Sequence, residues 1–134
     1  MSERRSARPL QRSRGRRALL VGLTPLMMRA LEGPLAESLE VSAVPFPGTA
    51  FDRAVTSVRP DLVVVDVTYL DERRVRPLLM ERFRQLGSVL VFTSEGGGGW
   101  VDDLGRGRSG PVDDVSPEAL VGLLPQPALR LLSR

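Results

Sequence analysis

The side chain best placed for chemistry in this sequence is the carboxylate of Asp66, which follows the apolar run at residues 62–65. Four consecutive apolar residues, three of them β-branched, are typical of a strand that is covered on both faces in a parallel sheet. Ligands of such open sheets bind beyond the carboxyl ends of the strands. We therefore expect Asp66 to lie at the reactive edge of a sheet.

The residue composition excludes most other kinds of catalytic site. The chain contains no histidine and no cysteine. Disulfides, thiolate nucleophiles, zinc sites with nitrogen or sulfur ligands and the side chain that most readily titrates near neutral pH are therefore excluded. An oxygen-ligated Mg²⁺ site remains open. A nucleophile and its base would have to come from carboxylates, serine or threonine, so we predict that the protein is not an enzyme.

A run of glycines, Gly96 to Gly99, follows the second strongly apolar segment. Glycine-rich loops can bind phosphate through backbone N–H groups. The chain has no dinucleotide-binding or P-loop motif, however, and the neighbours Glu95 and Asp102 are acidic, which favours a flexible connection. Glycine disfavours helix by up to about 1 kcal/mol per residue relative to alanine, so the next helix is expected to be short and to begin near Trp100. Trp100 is a candidate interface anchor, or a residue that covers the core.

Length and charge divide the chain into three parts. Its 134 residues, 42% of them hydrophobic, suit one domain at residues 18–124. No apolar run approaches the roughly 20 residues that cross a bilayer, so a soluble cytoplasmic protein is expected. Residues 1–17 hold seven of the 19 basic residues and one acid. This arginine-rich tail is predicted to be disordered and to bind nucleic acid or anionic lipid, or to be a solvated leader. Residues 125–134 are a short apolar and basic extension.

From Ala18 the chain alternates strand-like and helix-like segments, which is typical of a doubly wound α/β fold. The predicted strands occupy residues 18–23, 39–44, 60–66 and 88–93, with a short fifth strand near Pro111 and Val112. The predicted helices begin after Thr24, near Thr49, at Asp71, near Trp100 and after Ser116, and Gly33-Pro34 is expected to kink the first one. Five strands in a chain this short predict a flavodoxin-like, doubly wound, five-stranded parallel sheet in three α/β/α layers.

Four segments occur in an informative order: RALLVGLTP at the first strand, RPDLVVVD ending at Asp66, SVLVFTS containing Thr93, and VSPEAL at the last helix. Together, over residues 17–124, they resemble the receiver domain of bacterial two-component response regulators. The resemblance implies signal transduction by a phosphorelay. In that family the residue matching Asp66 is phosphorylated by a histidine kinase, and the hydroxyl matching Thr93 senses the phosphoryl group.

The chain departs from the receiver pattern where the family binds metal and phosphate. Receivers have an acidic pair after the first strand, where this chain has Gly22 and Leu23. They also have a lysine after the fifth strand, where this chain has Asp113, or Asp114 in a shifted register. Phosphoryl transfer to a carboxylate builds negative charge that cations must neutralise. A second anion a few ångströms from Asp66 would instead cost about 4 kcal/mol, so standard phosphorylation is not expected.

These observations predict a stand-alone degenerate receiver, or pseudo-receiver, that binds a kinase or another signalling protein and has no cofactor. The interaction surface is expected around residues 100–111 and the last helix, and a homodimer is an alternative assembly. A second hypothesis is a phosphoaccepting regulator that uses Asp66, with Mg²⁺ held by Asp71 or Glu72, or with an arginine in place of the lysine. A third is a nucleic-acid-associated protein that acts through the arginine-rich tail.

Overall fold

The computed structural model describes residues 15–94 and 98–125. The strands are β1 (Arg17–Val21), β2 (Glu40–Val44), β3 (Leu62–Asp66), β4 (Val89–Thr93), β5 (Gly99–Asp103) and β6 (Arg108–Val112). The helices are α1 (Pro25–Ala36), α2 (Thr49–Val58), α3 (Glu72–Phe83) and α4 (Pro117–Gly122), with a 3-10 turn at Arg84–Leu86. None of these helices is long and apolar enough to cross a membrane. The predictions for most of the tail, at residues 1–14, for Gly96 and Gly97, and for the extension at 126–134 concern residues outside this described part.

The strands form one mixed sheet, and this corrects the predicted fold class. Their order is β2-β1-β3-β4-β5-β6. Strands β1 to β4 pair in parallel, whereas β5 is antiparallel to β4 and β6 is antiparallel to β5. The prediction of a five-stranded, all-parallel, flavodoxin-like sheet is therefore wrong. A β5–β6 hairpin stands where a fourth helix and a fifth parallel strand were expected.

Glycines explain why the chain forms this hairpin. A Cβ atom at Gly99 would lie 2.7 Å from the carbonyl oxygen of Phe92, so only glycine lets β5 approach β4 at that point. Gly107 has a φ of +69°, which favours glycine, and lies in the turn between β5 and β6. Its N–H donates to the carbonyl oxygen of Asp103 at 2.8 Å. The segment around Trp100 consequently pairs as a strand, and the helix expected to begin there is absent.

Side-chain caps fix the start of three helices, at the positions that the sequence indicated. Thr24 Oγ1 accepts from the Met27 N–H at 3.3 Å, Asp71 Oδ1 from the Arg73 N–H at 3.2 Å, and Ser116 Oγ from the Ala119 N–H at 3.3 Å. Proline follows the cap in α1 and α4, where its missing N–H costs nothing. Helix α1 continues through Gly33-Pro34 and ends at Ala36.

Helices cover both faces of the sheet. Leu31 and Leu35 of α1 pack in the same core cluster as Leu120 of α4, on one face. Phe51 of α2 and Leu79 of α3 belong to the core cluster on the other face. The neighbouring strands β1 and β3 are thus followed by helices on opposite faces. The boundary between β1 and β3 is therefore the topological switch point, the usual ligand site of an open α/β sheet.

Candidate functional site

Asp66 is the last residue of β3 and lies at the carboxyl edge of the sheet, beside the switch point. The residue is 4% exposed. Its Oδ1 accepts two hydrogen bonds from Thr68, one from the backbone N–H at 2.8 Å and one from the hydroxyl at 2.6 Å. One of the two carboxylate oxygens is therefore bound by the loop that follows β3.

The other oxygen of Asp66, Oδ2, is buried and accepts no hydrogen bond from the described residues. An unpaired buried acceptor costs about 1–3 kcal/mol, so Oδ2 is the atom at which an added donor or cation would stabilise the site most. Within residues 15–94 and 98–125, no three aspartate or glutamate side chains lie close enough together to hold a metal ion. Asp71, one of the residues expected to bind Mg²⁺ in the phosphoaccepting hypothesis, instead caps α3.

Thr93 is the register partner of Asp66, on β4. It is 2% exposed, and its hydroxyl donates to the carbonyl oxygen of Gly98 at 3.1 Å. The backbone also joins the two strand ends, because the Val67 N–H donates to the Thr93 carbonyl oxygen at 2.8 Å. The structure thus brings Asp66 and Thr93 together as expected for a receiver, but the hydroxyl proton of Thr93 is donated to Gly98, the residue before β5.

Gly22 and Leu23, the positions of the absent acidic pair, have structural roles in the β1–α1 loop. Gly22 has a φ of +63°, and its N–H donates to the Val44 carbonyl oxygen at 2.9 Å. A Cβ atom there would lie 3.4 Å from the Cβ of Phe46. Leu23 is half-buried against the core cluster of α1 and α4. An aspartate at position 22 would therefore be strained, because L-residues disfavour this left-handed conformation.

Asp113 follows β6 and lies at the same edge of the sheet as Asp66, because β6 runs parallel to β4. Because β5 lies between β4 and β6, Asp113 is one strand further from Asp66 than the resemblance to receivers implied. Three strand spacings, from β3 to β6, amount to about 14 Å. This exceeds the screening length of about 8 Å at physiological ionic strength, so the expected repulsion between Asp113 and a phosphorylated Asp66 is small.

A charged cluster that the sequence analysis missed connects α3 to the hairpin. Asp102 on β5 is 1% exposed. Its Oδ2 accepts from Arg76 Nε at 3.1 Å, and its Oδ1 accepts from Arg76 Nη2 at 3.2 Å, from Ser109 Oγ at 2.7 Å and from Trp100 Nε1 at 3.3 Å. The Arg76 guanidinium also lies 4.9 Å from the centre of a Trp100 ring. Trp100, the candidate interface anchor, is therefore half-buried and held beneath α3.

The signal that could have revealed this cluster is the alternation along Trp100-Val101-Asp102. Side chains of a strand point to opposite faces in turn, so a strand assignment would have placed Trp100 and Asp102 on the same face. The sequence analysis expected a helix in this region. It therefore used Asp102 only as an acidic neighbour of the glycine run.

A groove lies on the opposite face of the hairpin, between β5–β6 and the end of α4. Val89 and Val101 line it from the sheet, and Gly122 at the end of α4 and Leu123 just after it line the other side, around a cavity of about 260 Å³. A second cavity of about 470 Å³ shares Val89 and extends to Pro125. We call these two adjoining cavities the hairpin groove. It brings together the two regions, residues 100–111 and the last helix, in which the sequence predicted an interaction surface.

Comparisons with known proteins identify no relative of this chain. No family model, curated protein or solved structure matches it. The resemblance to receiver domains therefore stays a prediction based on four sequence segments. Functional arguments depend on the geometry of the Asp66 site and of the hairpin groove.

Proposed function

We propose that the protein is a signalling module, a degenerate receiver, that acts by binding a protein partner and is not phosphorylated at Asp66. The observation that carries this proposal is the condition of the Asp66 carboxylate. It is buried, its Oδ1 accepts two hydrogen bonds from Thr68, and no arginine among the described residues forms an ion pair with it. A phosphoacceptor needs an accessible oxygen with cations around the developing charge.

The parallel part of the sheet supports a relation to receivers. Doubly wound sheets of the receiver type begin with the strand order 2-1-3-4, and β1 to β4 have that order here. Helix α1 covers one face and helices α2 and α3 cover the other, and Asp66 ends the third strand. The relation is proposed for this part of the chain, since the β5–β6 hairpin departs from the pattern.

The hairpin groove supports binding as the mode of action. Small-molecule and peptide sites are concave and mainly apolar, with a few polar groups, and the groove has this character along Val89, Val101 and Leu123. A kinase or another signalling protein of the cytoplasm is the proposed partner. A second copy of the chain is the alternative partner. Measurement of the molecular mass in solution would reveal such a dimer.

The other two hypotheses have less support. A phosphoaccepting regulator needs additional oxygen ligands beside Asp66, and within the described residues no such group is assembled. A nucleic-acid-associated protein would act through the arginine-rich tail, most of which lies outside the described residues. Neither hypothesis is favoured by a specific feature of the Asp66 site.

Treatment with acetyl phosphate and Mg²⁺, followed by intact mass spectrometry, tests the proposal. We expect no phosphoryl adduct on the full chain under conditions that label an active receiver added as a control. Stoichiometric labelling that disappears in Asp66→Asn, and persists in Glu32→Gln, would contradict the proposal and support the phosphoaccepting hypothesis. The Glu32 variant is the matched control because Glu32 is an exposed acid on α1 that neither hypothesis places at the site.

A further inference from the structure

The hairpin groove combines an apolar floor with a rim of arginine side chains. Val89 is 3% and Val101 is 9% exposed, so the floor is continuous with the core. Arg106 and Arg108, from the hairpin, line the cavity beside α4. Arg16 lines the adjoining cavity. Three arginines thus line the groove together with apolar residues, which is the composition of a site for an anionic ligand with an apolar part.

Two aspartates also line the groove, but both are engaged within the protein. Asp103 accepts from the Arg106 N–H at 3.1 Å and lies 3.4 Å from Arg106 Nε. Asp61 Oδ2 accepts from the Arg17 N–H at 2.9 Å. Within the described part of the chain, Arg108 forms no ion pair, so its charge is available to a ligand. With three arginines and two aspartates in its lining, the groove carries a net charge of +1.

Two residues that are far apart in the sequence meet at this groove. Arg16 Nη1 donates to the carbonyl oxygen of Pro125, and both residues line the cavity. The sequence beyond them is strongly basic: residues 1–14 hold five arginines and one acid, and residues 126–134 hold two arginines and no acid. The charge of both adjoining segments therefore has the same sign as the rim of the groove, which favours an anionic partner.

Resting on the proposed function, we infer that the hairpin groove binds an acidic segment of the protein partner. An apolar side chain of that segment would pack on Pro111, Val112 and Leu123, the apolar lining residues that are not fully buried. Carboxylates beside it would pair with Arg108 and Arg16. A nucleic acid is a poorer fit, since single strands bind through stacking on aromatic side chains, and the described groove lining contains none. The apolar floor would gain nothing from a phosphate backbone.

Fluorescence anisotropy with designed probes tests this inference on the full chain. The main probe is a labelled nine-residue peptide with one leucine between two runs of four glutamates. We expect saturable binding that weakens with added salt. Replacing the leucine by serine should weaken binding about fivefold or more, since one buried apolar contact is lost. Replacing the glutamates by lysines should abolish it. A nine-nucleotide single-stranded DNA is the competing probe.

Two variants test whether the groove is the site. A Cβ atom at Gly122 would meet nothing within 4 Å, so Gly122→Phe can fill the groove without disturbing the core. It should weaken binding of the leucine peptide at least tenfold. Arg108→Gln should weaken it about two- to fivefold, as expected for one exposed ion pair. Arg74→Gln, which removes an exposed charge from α3 on the other face of the sheet, should leave it unchanged.

Several results would overturn the inference: equal binding of the leucine and serine peptides, tighter binding of the DNA, or undiminished binding to a folded Gly122→Phe variant. If that variant fails to fold, equal effects of Arg108→Gln and Arg74→Gln on binding of the leucine peptide would also overturn the inference. Failure of the proposed function is distinguishable. Phosphorylation of Asp66 would overturn that function whatever the peptides do, whereas absent peptide binding with an unlabelled Asp66 would overturn the inference about the groove alone.

Discussion

Thr68 donates twice to Oδ1 of Asp66, through its backbone N–H at 2.8 Å and its hydroxyl at 2.6 Å. Aspartate side chains commonly form this contact with the residue two positions later, where it shapes a turn. Here the aspartate ends a buried strand at the topological switch point. The carboxylate that would be the reactive group of a receiver is thereby used to shape the loop between β3 and α3.

Replacing Thr68 by valine should lower the free energy of unfolding by about 1.5–3 kcal/mol, the range for a hydrogen bond to a charged group. Thr68→Ser keeps the hydroxyl and is the matched control, with a smaller loss. Urea denaturation of both variants measures the difference. Equal stability of the valine and serine variants would show that the hydroxyl bond contributes nothing.

The pair of Arg76 and Asp102 should be the most stabilising ion pair among the described residues. Removing one partner of a buried pair costs about 3–5 kcal/mol, and the side chain of Arg76 is 30% exposed, so we expect about 3 kcal/mol for Asp102→Ala. Guanidinium denaturation is the measurement. The loss of the Trp100 and Ser109 hydrogen bonds acts in the same direction.

The control for that prediction is the surface pair of Arg82 and Asp52, 3.3 Å apart, whose side chains are 43% and 61% exposed. Asp52→Ala should cost less than about 1 kcal/mol, because solvent screens the pair. If Asp102→Ala lowers the free energy of unfolding as little as Asp52→Ala does, the contacts of Asp102 do not stabilise the packing of the hairpin against α3.

Gly22→Ala should destabilise the protein by about 1–2 kcal/mol, because the residue has a φ of +63°. Gly122→Ala, within the short helix α4 and with open space at its Cβ, should instead stabilise it by about 0.5 kcal/mol. Thermal unfolding of the two variants tests the contrast. A neutral Gly22→Ala would remove the structural reason for glycine at a position where receivers carry an acid.

Much of the parallel half of the fold follows from local sequence signals. The caps Thr24, Asp71 and Ser116 mark helix starts, and the apolar runs before Asp66 and Thr93 mark buried strands, because each signal is a short-range interaction. The hairpin was not predicted, since its strands contain glycine, proline and charged residues that individually disfavour strand structure. Contacts across the sheet, such as that of Gly99 with Phe92, decide the outcome there.

At the candidate site, too, local features could be predicted from the sequence and long-range contacts could not. The sequence predicted that Asp66 and Thr93 would lie at one edge, because the carboxyl ends of parallel strands meet there. The sequence did not indicate that an additional strand, β5, would separate Asp113 from Asp66. It also missed Asp102, whose burial depends on pairing with Arg76 from a helix 26 positions away. Register and partner choice are long-range properties that a local pattern does not contain.

The most direct test of the account uses the backbone amide of Thr68, which donates to Asp66, as a reporter of phosphoryl binding. Two-dimensional amide NMR spectra of the full chain would be recorded before and after addition of Mg²⁺ and beryllium fluoride, a stable mimic of the phosphoryl group on aspartate. We predict that the Thr68 signal does not move. A saturable shift of that signal, absent in Asp66→Asn, would contradict the proposal that this carboxylate does not accept a phosphoryl group.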